Sequence, residues 1–300
     1  MNSRLKLLIT GGRGRIAGLL GPMLGQRGFE VQRASRIADE RFVDYRELVS
    51  PATLASFDTV LHLAWSTVPA TAEQLPGSEW EVDLPYLARL LRAAAQLPAA
   101  QRPHLVFFSS GGTVYGEAPA PRGRREDDPC HPIGWYGRGK LAAEQLLNAF
   151  AVACALDCAI LRVSNPYGYL MQPAKPQGLI AHLLDSARKR QGFEVWGDGS
   201  ATKDYLSASD LCAAVVAVLE SRATGTFNIG SGTTHSVNEI IALVRELSGV
   251  DFAVRYREPF AWDVSHSRLE ITKMKTVLGW EPRVALRAGM ADFWANGNSG

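Results

Sequence analysis

Tyr136 and Lys140 stand four residues apart in "WYGRGKLAAEQLL", at the start of a helix-like run, so both side chains share one helix face. A tyrosine hydroxyl must have its pKa lowered from about 10 before it can give and take a proton near neutrality. A lysine ammonium one turn away favours the phenolate, as an oxidised nicotinamide would. The pair therefore suits proton transfer to and from a substrate hydroxyl. Tyr-x-x-x-Lys alone is common and usually structural. Its weight here comes from two companions: a glycine-rich turn near the chain start, and the apolar run "VFFSSGGTVYG" (Val106 to Gly116), which ends in hydroxyls.

The glycine-rich turn, "LITGGRGRIAG", sets Gly11, Gly12 and Gly14 between a first strand and a first helix. Glycines there permit a tight turn and let backbone N–H groups approach a pyrophosphate at the helix N-terminus. Ala17 takes the close-packing position of a third glycine. Strand, turn and helix supply the context that the dinucleotide motif requires. The second strand, "FEVQRAS", would end in an acid if it held the adenosine ribose of NAD. Ser35 and Arg36 stand there instead, and Glu30 falls too early. A small hydroxyl followed by a guanidinium suits a 2′-phosphate, which favours NADP over NAD. The alternative is an exposed arginine beside an NAD site built from other contacts.

Short apolar runs alternate with helix-length amphipathic segments from "LKLLIT" to "CAILRVSNP". That grammar predicts an α/β fold, a doubly wound parallel (Rossmann) sheet covered on both faces. "EWEVDLPYLARLLRAAAQL" and "YGRGKLAAEQLLNAFAVACA" read as helices. "FEVQRAS" and "RFVDY" read as strands. From "NPYGYLMQPAKPQG" onward the pattern turns irregular. Residues 1–165 are expected to form the dinucleotide-binding domain and 166–300 a smaller mixed α/β substrate domain, with some of its segments returning to the first sheet. In that second part helices are expected near Leu179–Arg190, Ser209–Ser221 and Val237–Leu247, with a strand at "FEVWGDG".

The 300 residues are 46% hydrophobic and carry 32 basic against 30 acidic groups, a net charge of +2. That balance offers no electrostatic case for nucleic acid or an anionic membrane. Arg122, Arg124 and Arg125 are followed at once by Glu126, Asp127 and Asp128 and read as a solvated loop. The opening apolar run is too short for a signal-peptide core, and no run approaches the roughly 20 residues of a membrane span. Cys130, Cys154, Cys158 and Cys212 show no metal-ligand spacing; a helix is expected to end between the middle two, and all four read as free thiols. No metal is expected, and the chain reads as a soluble cytoplasmic protein.

With these motifs in order, the chain resembles the extended short-chain dehydrogenases/reductases, in the NAD-dependent epimerase/dehydratase group typified by UDP-galactose 4-epimerase. The resemblance runs nearly end to end, through "TGGRGRIAG", "FDTVLHLAW", "FSSGGTVYG", "PIGWYGRGK", "LRVSNPYG", "VWGDGSATKDYL", "GTFNIGSG" and "LGWEP". It implies that Tyr136 is the catalytic acid/base and that Lys140 tunes it and bonds the nicotinamide ribose. It implies that Gly11, Gly14, Arg15 and Ile16 line the pyrophosphate, and that Asp44 and Tyr45 meet the adenine. Leu63, Ala64 and Trp65 would pass along the cofactor, as would the strand-end Ser109. Asn165 would bind substrate, with Lys203 and Arg257 as candidate diphosphate contacts. A homodimer through the two long helices is the family's habit; packing of their apolar positions within one chain is the competing reading.

Departures from the family pattern bear on the reaction. Asp83 replaces a cofactor-contacting asparagine, and Phe260 stands where a diphosphate-binding arginine is usual. The hydroxyl that assists the tyrosine is absent at Gly111, leaving Ser110 or Thr113 to assist; the bland reading of both is backbone bonding at a strand end. Dehydratases of the family carry an Asp–Glu pair where Gly112 and Thr113 stand here, which argues against dehydration. What remains is a C4 epimerase of a nucleoside-diphosphate hexose, its motif order like that of enzymes serving surface-polysaccharide synthesis. The alternatives are an NADPH-dependent ketosugar reductase and a non-catalytic dinucleotide sensor.

Overall fold

Strands rich in Val, Ile, Leu and Phe, buried on both faces, build the centre of the fold, as parallel strands covered by helices must. The computed structural model describes residues 4–37, 39–44, 49–117, 122–168 and 178–296. Two compact units divide these residues. The first comprises the stretch ending at Ser110, Trp135–Arg162 and Val215–Phe227; the second comprises Gly111–Gly134, Val163–Ala214 and the chain from Asn228.

Along the chain the elements of the first unit are β1 (Lys6–Thr10), α1 (Arg15–Gln26), β2 (Glu30–Ser35), β3 (Val43–Asp44), α2 (Pro51–Leu54), β4 (Thr59–His62), α3 (Pro69–Gln74), α4 (Ser78–Glu81), α5 (Asp83–Ala95), β5 (His104–Ser110) and α6 (Trp135–Cys154). β6 (Cys158–Val163) follows. Later come β7 (Asn165–Tyr167), α7 (Leu179–Lys189), β8 (Phe193–Trp196), β9 (Thr202–Lys203), β10 (Tyr205–Ser207), α8 (Ala208–Ser221) and β11 (Gly225–Ile229). β12 (His235–Ser236), α9 (Val237–Ser248), β13 (Val254–Arg257), β14 (His266–Ser267), α10 (Thr272–Leu278) and α11 (Leu286–Asn296) complete the order.

The main sheet has seven strands in the order β11-β6-β5-β4-β1-β2-β3. β1 pairs in parallel with β2 and β4, β2 with β3, and β4 with β5. Strand order therefore reverses between β1 and β4, the doubly wound pattern that opens a crevice at the strands' carboxyl ends. One core joins Leu8, Val60 and Phe107 of the strands to Leu87, Leu90 and Leu91 of α5 and Ala143 and Leu147 of α6. The other strand faces are buried too, through Leu7, Ile9, Leu61, Val106 and Leu161.

The second unit is built of short strand sets, β10-β7, β12-β9-β14 and β13-β8. Its core packs Leu183 and Leu184 of α7 against Ile240 and Val244 of α9, with Phe252 and Met290. α9 begins with a reciprocal cap: Glu239 N–H donates to Ser236 Oγ (3.1 Å), and Ser236 N–H donates to Glu239 Oε2 (2.6 Å).

The expected helices near residues 179–190, 209–221 and 237–247 are present. The segment read as one helix from Glu79 to Leu97 is instead two, α4 and α5, parted at Val82 (φ −113°, ψ −57°). Pro85 explains the break, because in a continuous helix its ring would meet the Glu81 carbonyl. In the first turn of α5 its missing N–H costs nothing. "RFVDY" contributes only the two-residue β3; Tyr45 lies outside the described residues. α6 ends at Cys154 and β6 opens at Cys158, as expected from Asp157 between them.

Candidate active site

The turn after β1 works because of what it must avoid. Gly11 has φ +69°, and a Cβ there would lie 2.8 Å from the backbone N and Cα of Ala64. Only glycine can bring the end of β1 so close to the end of β4 at the switch point. Gly14 N–H donates to the Gly11 carbonyl at 2.7 Å and precedes α1, whose first turn holds the half-buried Arg15 and Ile16. Thr10 Oγ1 accepts from Ala64 N–H (3.2 Å) and lies 2.8 Å from His62 Nδ1. That network fixes the segment Leu63–Ala64–Trp65 beside the loop. Burial, aided by the Lys140 charge, lowers the His62 pKa to about 3, so this ring is neutral. A loop with no room for a Cβ, opening a helix at the switch point, fits a dinucleotide pyrophosphate.

At the end of β2, Ser35 is buried and its Oγ accepts from Ile37 N–H (3.3 Å), while Arg36 is exposed. Asp44 is half-buried and sits opposite Ser35 in the β2–β3 register. Phe42 carries the guanidiniums of Arg13, Arg33 and Arg41 at 4.5, 4.9 and 5.9 Å from its ring centroid. Arg13 also donates to Asp39 (2.6 Å). This edge of the sheet carries three guanidiniums around Phe42 and the carboxylates of Asp39 and Asp44.

Lys140 is buried, and its Nζ donates to the Phe108 carbonyl at 2.8 Å. The ammonium stands 3.9 Å from the Trp65 ring centroid, 4.8 Å from that of Phe107 and 5.8 Å from that of Tyr136. Tyr136 is half-buried, as is Ser110 at the end of β5. Desolvation lowers the Lys140 pKa to about 7 against the opposing pull of Asp83, Glu144 and Glu79. Asp83 is held by Ser66, whose N–H (2.9 Å) and Oγ (2.5 Å) both donate to it. Burial raises the Asp83 pKa despite those bonds. Glu79 is fully buried and accepts from Thr67 Oγ1. Ser109 is buried, and its hydroxyl donates to Glu144 rather than standing open at the strand end. Glu144 in turn receives Arg162, through Nε to both oxygens (3.1 Å each) and Nη2 to Oε2 (2.7 Å).

Gly139 lets α4 approach α6: a Cβ there would fall 2.8 Å from Glu79 Cγ and 3.3 Å from the Trp65 ring. Neither neighbour is the free end of a flexible chain. Gly139→Ala is therefore expected to destabilise the protein by about 1–3 kcal/mol, read as a lower urea midpoint at unchanged slope.

In the second unit Asn165 donates from Nδ2 to the Asp204 carbonyl (3.2 Å). The space above Gly112 opens toward Asn165 Nδ2 (3.7 Å) and Ser267 Oγ (3.9 Å). Ser267 Oγ and Thr113 Oγ1 are both buried without a hydrogen-bond partner among the described residues. Lys203 donates to Asp263 Oδ1 (2.9 Å) and to the Val264 carbonyl. Arg257 donates to Glu194 (3.1 and 2.5 Å). Both cations nominated for a diphosphate are thus engaged within the protein. Trp196, Phe260 and Trp262 form a ladder of stacked rings, 5.4 and 4.8 Å apart, with Trp196 48% and Phe260 41% exposed.

The model of the "NAD dependent epimerase/dehydratase family" matches residues 7–230, from β1 past the last strand of the sheet. The chain belongs to this family. It is 32% identical to the UDP-glucose 4-epimerase of Mycolicibacterium smegmatis over 249 residues, covering 81% of this chain and 78% of the relative. The crystal structure of UDP-glucose 4-epimerase with UDP-glucose from Thermotoga maritima superposes with a TM-score of 0.87 at 26% identity, covering 98% of this chain and 99% of that one. The Thermus thermophilus UDP-glucose 4-epimerase in complex with NAD gives the same score and identity over 99% and 100% of the two chains. The resemblance read from the motifs is thereby established, and with it the Rossmann fold of an extended short-chain dehydrogenase/reductase.

Within this family member, the first unit gathers Gly11, Gly14, Arg15, Ile16, Ser35, Arg36, Asp44, Leu63, Ala64, Trp65, Ser109, Ser110, Tyr136 and Lys140. Thr113, Asn165, Lys203 and Arg257 lie in the second. Sequence reasoning missed the Glu144–Arg162 pair, although two signals were present. Arg162 is a lone charge in the apolar "CAILRV", and Glu144 stands four residues after Lys140 on the same helix. A charge in a buried strand requires a partner. Glu79, Ser66 and Ser267 gave no comparable signal. Among the described residues no helix is long and apolar enough to cross a membrane.

Proposed function

We propose that this chain is an NAD(P)-dependent epimerase that inverts C4 of a nucleoside-diphosphate hexose, with Tyr136 as acid/base. The observation that supports this best is the half-buried Tyr136 set one turn before Lys140, in the unit where the Gly11 turn meets the reversal of strand order. The dinucleotide would lie along Gly11, Gly14, Arg15 and Ile16, then along Leu63, Ala64 and Trp65 to Lys140. When bound, it supplies a hydride acceptor and donor for C4 of the sugar. Tyr136 Oη takes the proton of the C4 hydroxyl as the carbonyl forms and returns it when the carbonyl is reduced. Lys140 would hold the nicotinamide ribose and favours the tyrosinate. Turning of the keto sugar between the two steps inverts the centre.

Asn165 and the unpartnered hydroxyls of Thr113 and Ser267 suit the hydroxyls of the hexose, and Ser110, half-buried at the end of β5, offers a further donor. Because Lys203 and Arg257 already have partners, stacking of the base on the Trp196–Phe260–Trp262 ladder is assigned much of the grip on the nucleotide. The cationic edge around Phe42, with Arg36 exposed beside it, favours tolerance of a 2′-phosphate and hence NADP alongside NAD. The product is an activated hexose of the kind that surface-polysaccharide glycosyltransferases consume.

Denaturing the purified protein and identifying the released dinucleotide tests the cofactor. Adding UDP-galactose to the native protein tests the reaction. The expected result is a retained dinucleotide and formation of UDP-glucose with no net change in reduced nicotinamide. Stoichiometric consumption of NADPH with a keto sugar, and no isomer formed, would make the protein a reductase instead.

A further inference from the structure

Three carboxylates surround a buried lysine in the first unit, and the assigned chemistry uses none of them. Asp83 of α5 is bonded to Ser66, next to the Trp65 whose ring lies 3.9 Å from the Lys140 ammonium, and Glu79 of α4 packs at Gly139 beside it; together with Glu144 on α6 they pull on that charge. Their bonding differs. Glu144 is occupied by Arg162 and Ser109, so most of its charge is already neutralised. Glu79 accepts from Thr67 on one oxygen, and its Oε2 has no partner among the described residues. Among the described residues Asp83 is clamped only by the neutral donors of Ser66, which orient the carboxylate without cancelling its charge. Among the described residues the ammonium also meets the Phe108 carbonyl, to which it donates, the aromatic faces of Trp65 and Phe107 and the ring of Tyr136, with His62 of β4 close by and neutral in its buried site.

A lysine ammonium out of water is costly unless an opposite charge accompanies it. We propose that Asp83, fixed by Ser66, is the positioning residue that keeps the Lys140 ammonium charged within the protein and so available to Tyr136 and the nicotinamide ribose. An asparagine of the same shape would still accept from Ser66 N–H and would donate from Nδ2 to Ser66 Oγ, but would remove the counter-charge. The chain's acid at this position thereby compensates for the burial of its lysine.

The sign is set by the Lys140 pKa, which burial brings down to about 7. The ammonium is present below that pH and is lost as pH rises through it. In Asp83→Asn, the fall in kcat/KM on the alkaline side is expected to move about one to two pH units lower. NADH binding to cofactor-free protein, followed by nicotinamide fluorescence, should weaken over the same shifted range without any turnover. Ser66→Ala, which loosens the clamp and keeps the carboxyl group, should move the alkaline fall in the same direction by a smaller step, about half a unit. A folded Asp83→Asn with both profiles unmoved would overturn the proposal; if it fails to fold, an alkaline fall left unmoved in Ser66→Ala would overturn it. The inference rests on the role given to Tyr136 and Lys140. Failure of that role would appear separately, as unchanged turnover in Tyr136→Phe.

Discussion

Tyr136→Phe is expected to lower kcat by about 10²–10⁴-fold, the range that positioned acid–base groups contribute, while NADH affinity stays within a few-fold of the parent. Only one oxygen is lost. The ring remains half-buried on α6, 5.8 Å from the Lys140 ammonium, so neither packing nor charge near the cofactor path changes much. Gly11, Ala64 and the first turn of α1 are untouched. The split is the informative part. A residue that merely packs would lose little activity, and one that chiefly holds the dinucleotide would lose affinity with activity. Steady-state kinetics with UDP-galactose, together with a fluorescence titration of NADH, reads both quantities on the same preparation.

The largest expected effect on stability belongs to a pair far less visible in the sequence. Arg162→Met should reduce the unfolding free energy by about 3–5 kcal/mol, the cost of leaving a buried charge without its partner. The side chains of Arg162 and Glu144 are 8% and 2% exposed. After the substitution the Glu144 carboxylate keeps the Ser109 bond and the attraction of the Lys140 ammonium, and loses its bonded guanidinium. Against a total stability of about 5–15 kcal/mol for a typical domain, that loss is large, and it should be evident in a urea titration at neutral pH. Adding Glu144→Leu should recover much of it, because two apolar side chains leave no uncompensated charge. Additive losses in the double variant would mean that the two residues act independently.

The features that could be read from the sequence are those written locally. A glycine turn between a strand and a helix, a tyrosine and lysine one turn apart, and apolar runs of strand length each sit within a dozen residues. Their physical causes, close backbone approach and periodic burial, act at that range. What escaped is held together across the chain. Ser66 clamps Asp83, Thr67 reaches Glu79, and Gly139 makes room for that glutamate. Ser109 and Arg162 converge on Glu144 from two strands. No periodicity announces such contacts, because each depends on where the sheet has already brought distant segments.

The same limit accounts for the cations. Lys203 and Arg257 were nominated by position, yet their partners Asp263 and Glu194 are about sixty residues away in sequence. The break at Val82 is different in kind. Pro85 marked it in plain view, and helical periodicity in the flanking residues outweighed it. Arg162 was likewise visible as a charge in an apolar strand, and the expectation that buried charges come in pairs would have led to Glu144.

The most direct test of the proposed chemistry follows the hydrogen at C4. UDP-galactose carrying deuterium at that carbon is incubated with the purified protein and no added dinucleotide, and the product is analysed by NMR. Formation of UDP-glucose with deuterium still at C4 is the predicted outcome, because the hydrogen leaves and returns within one active site. Conversion with the label lost to solvent, or no conversion beside an intact dinucleotide and an accepted UDP-sugar, would contradict it.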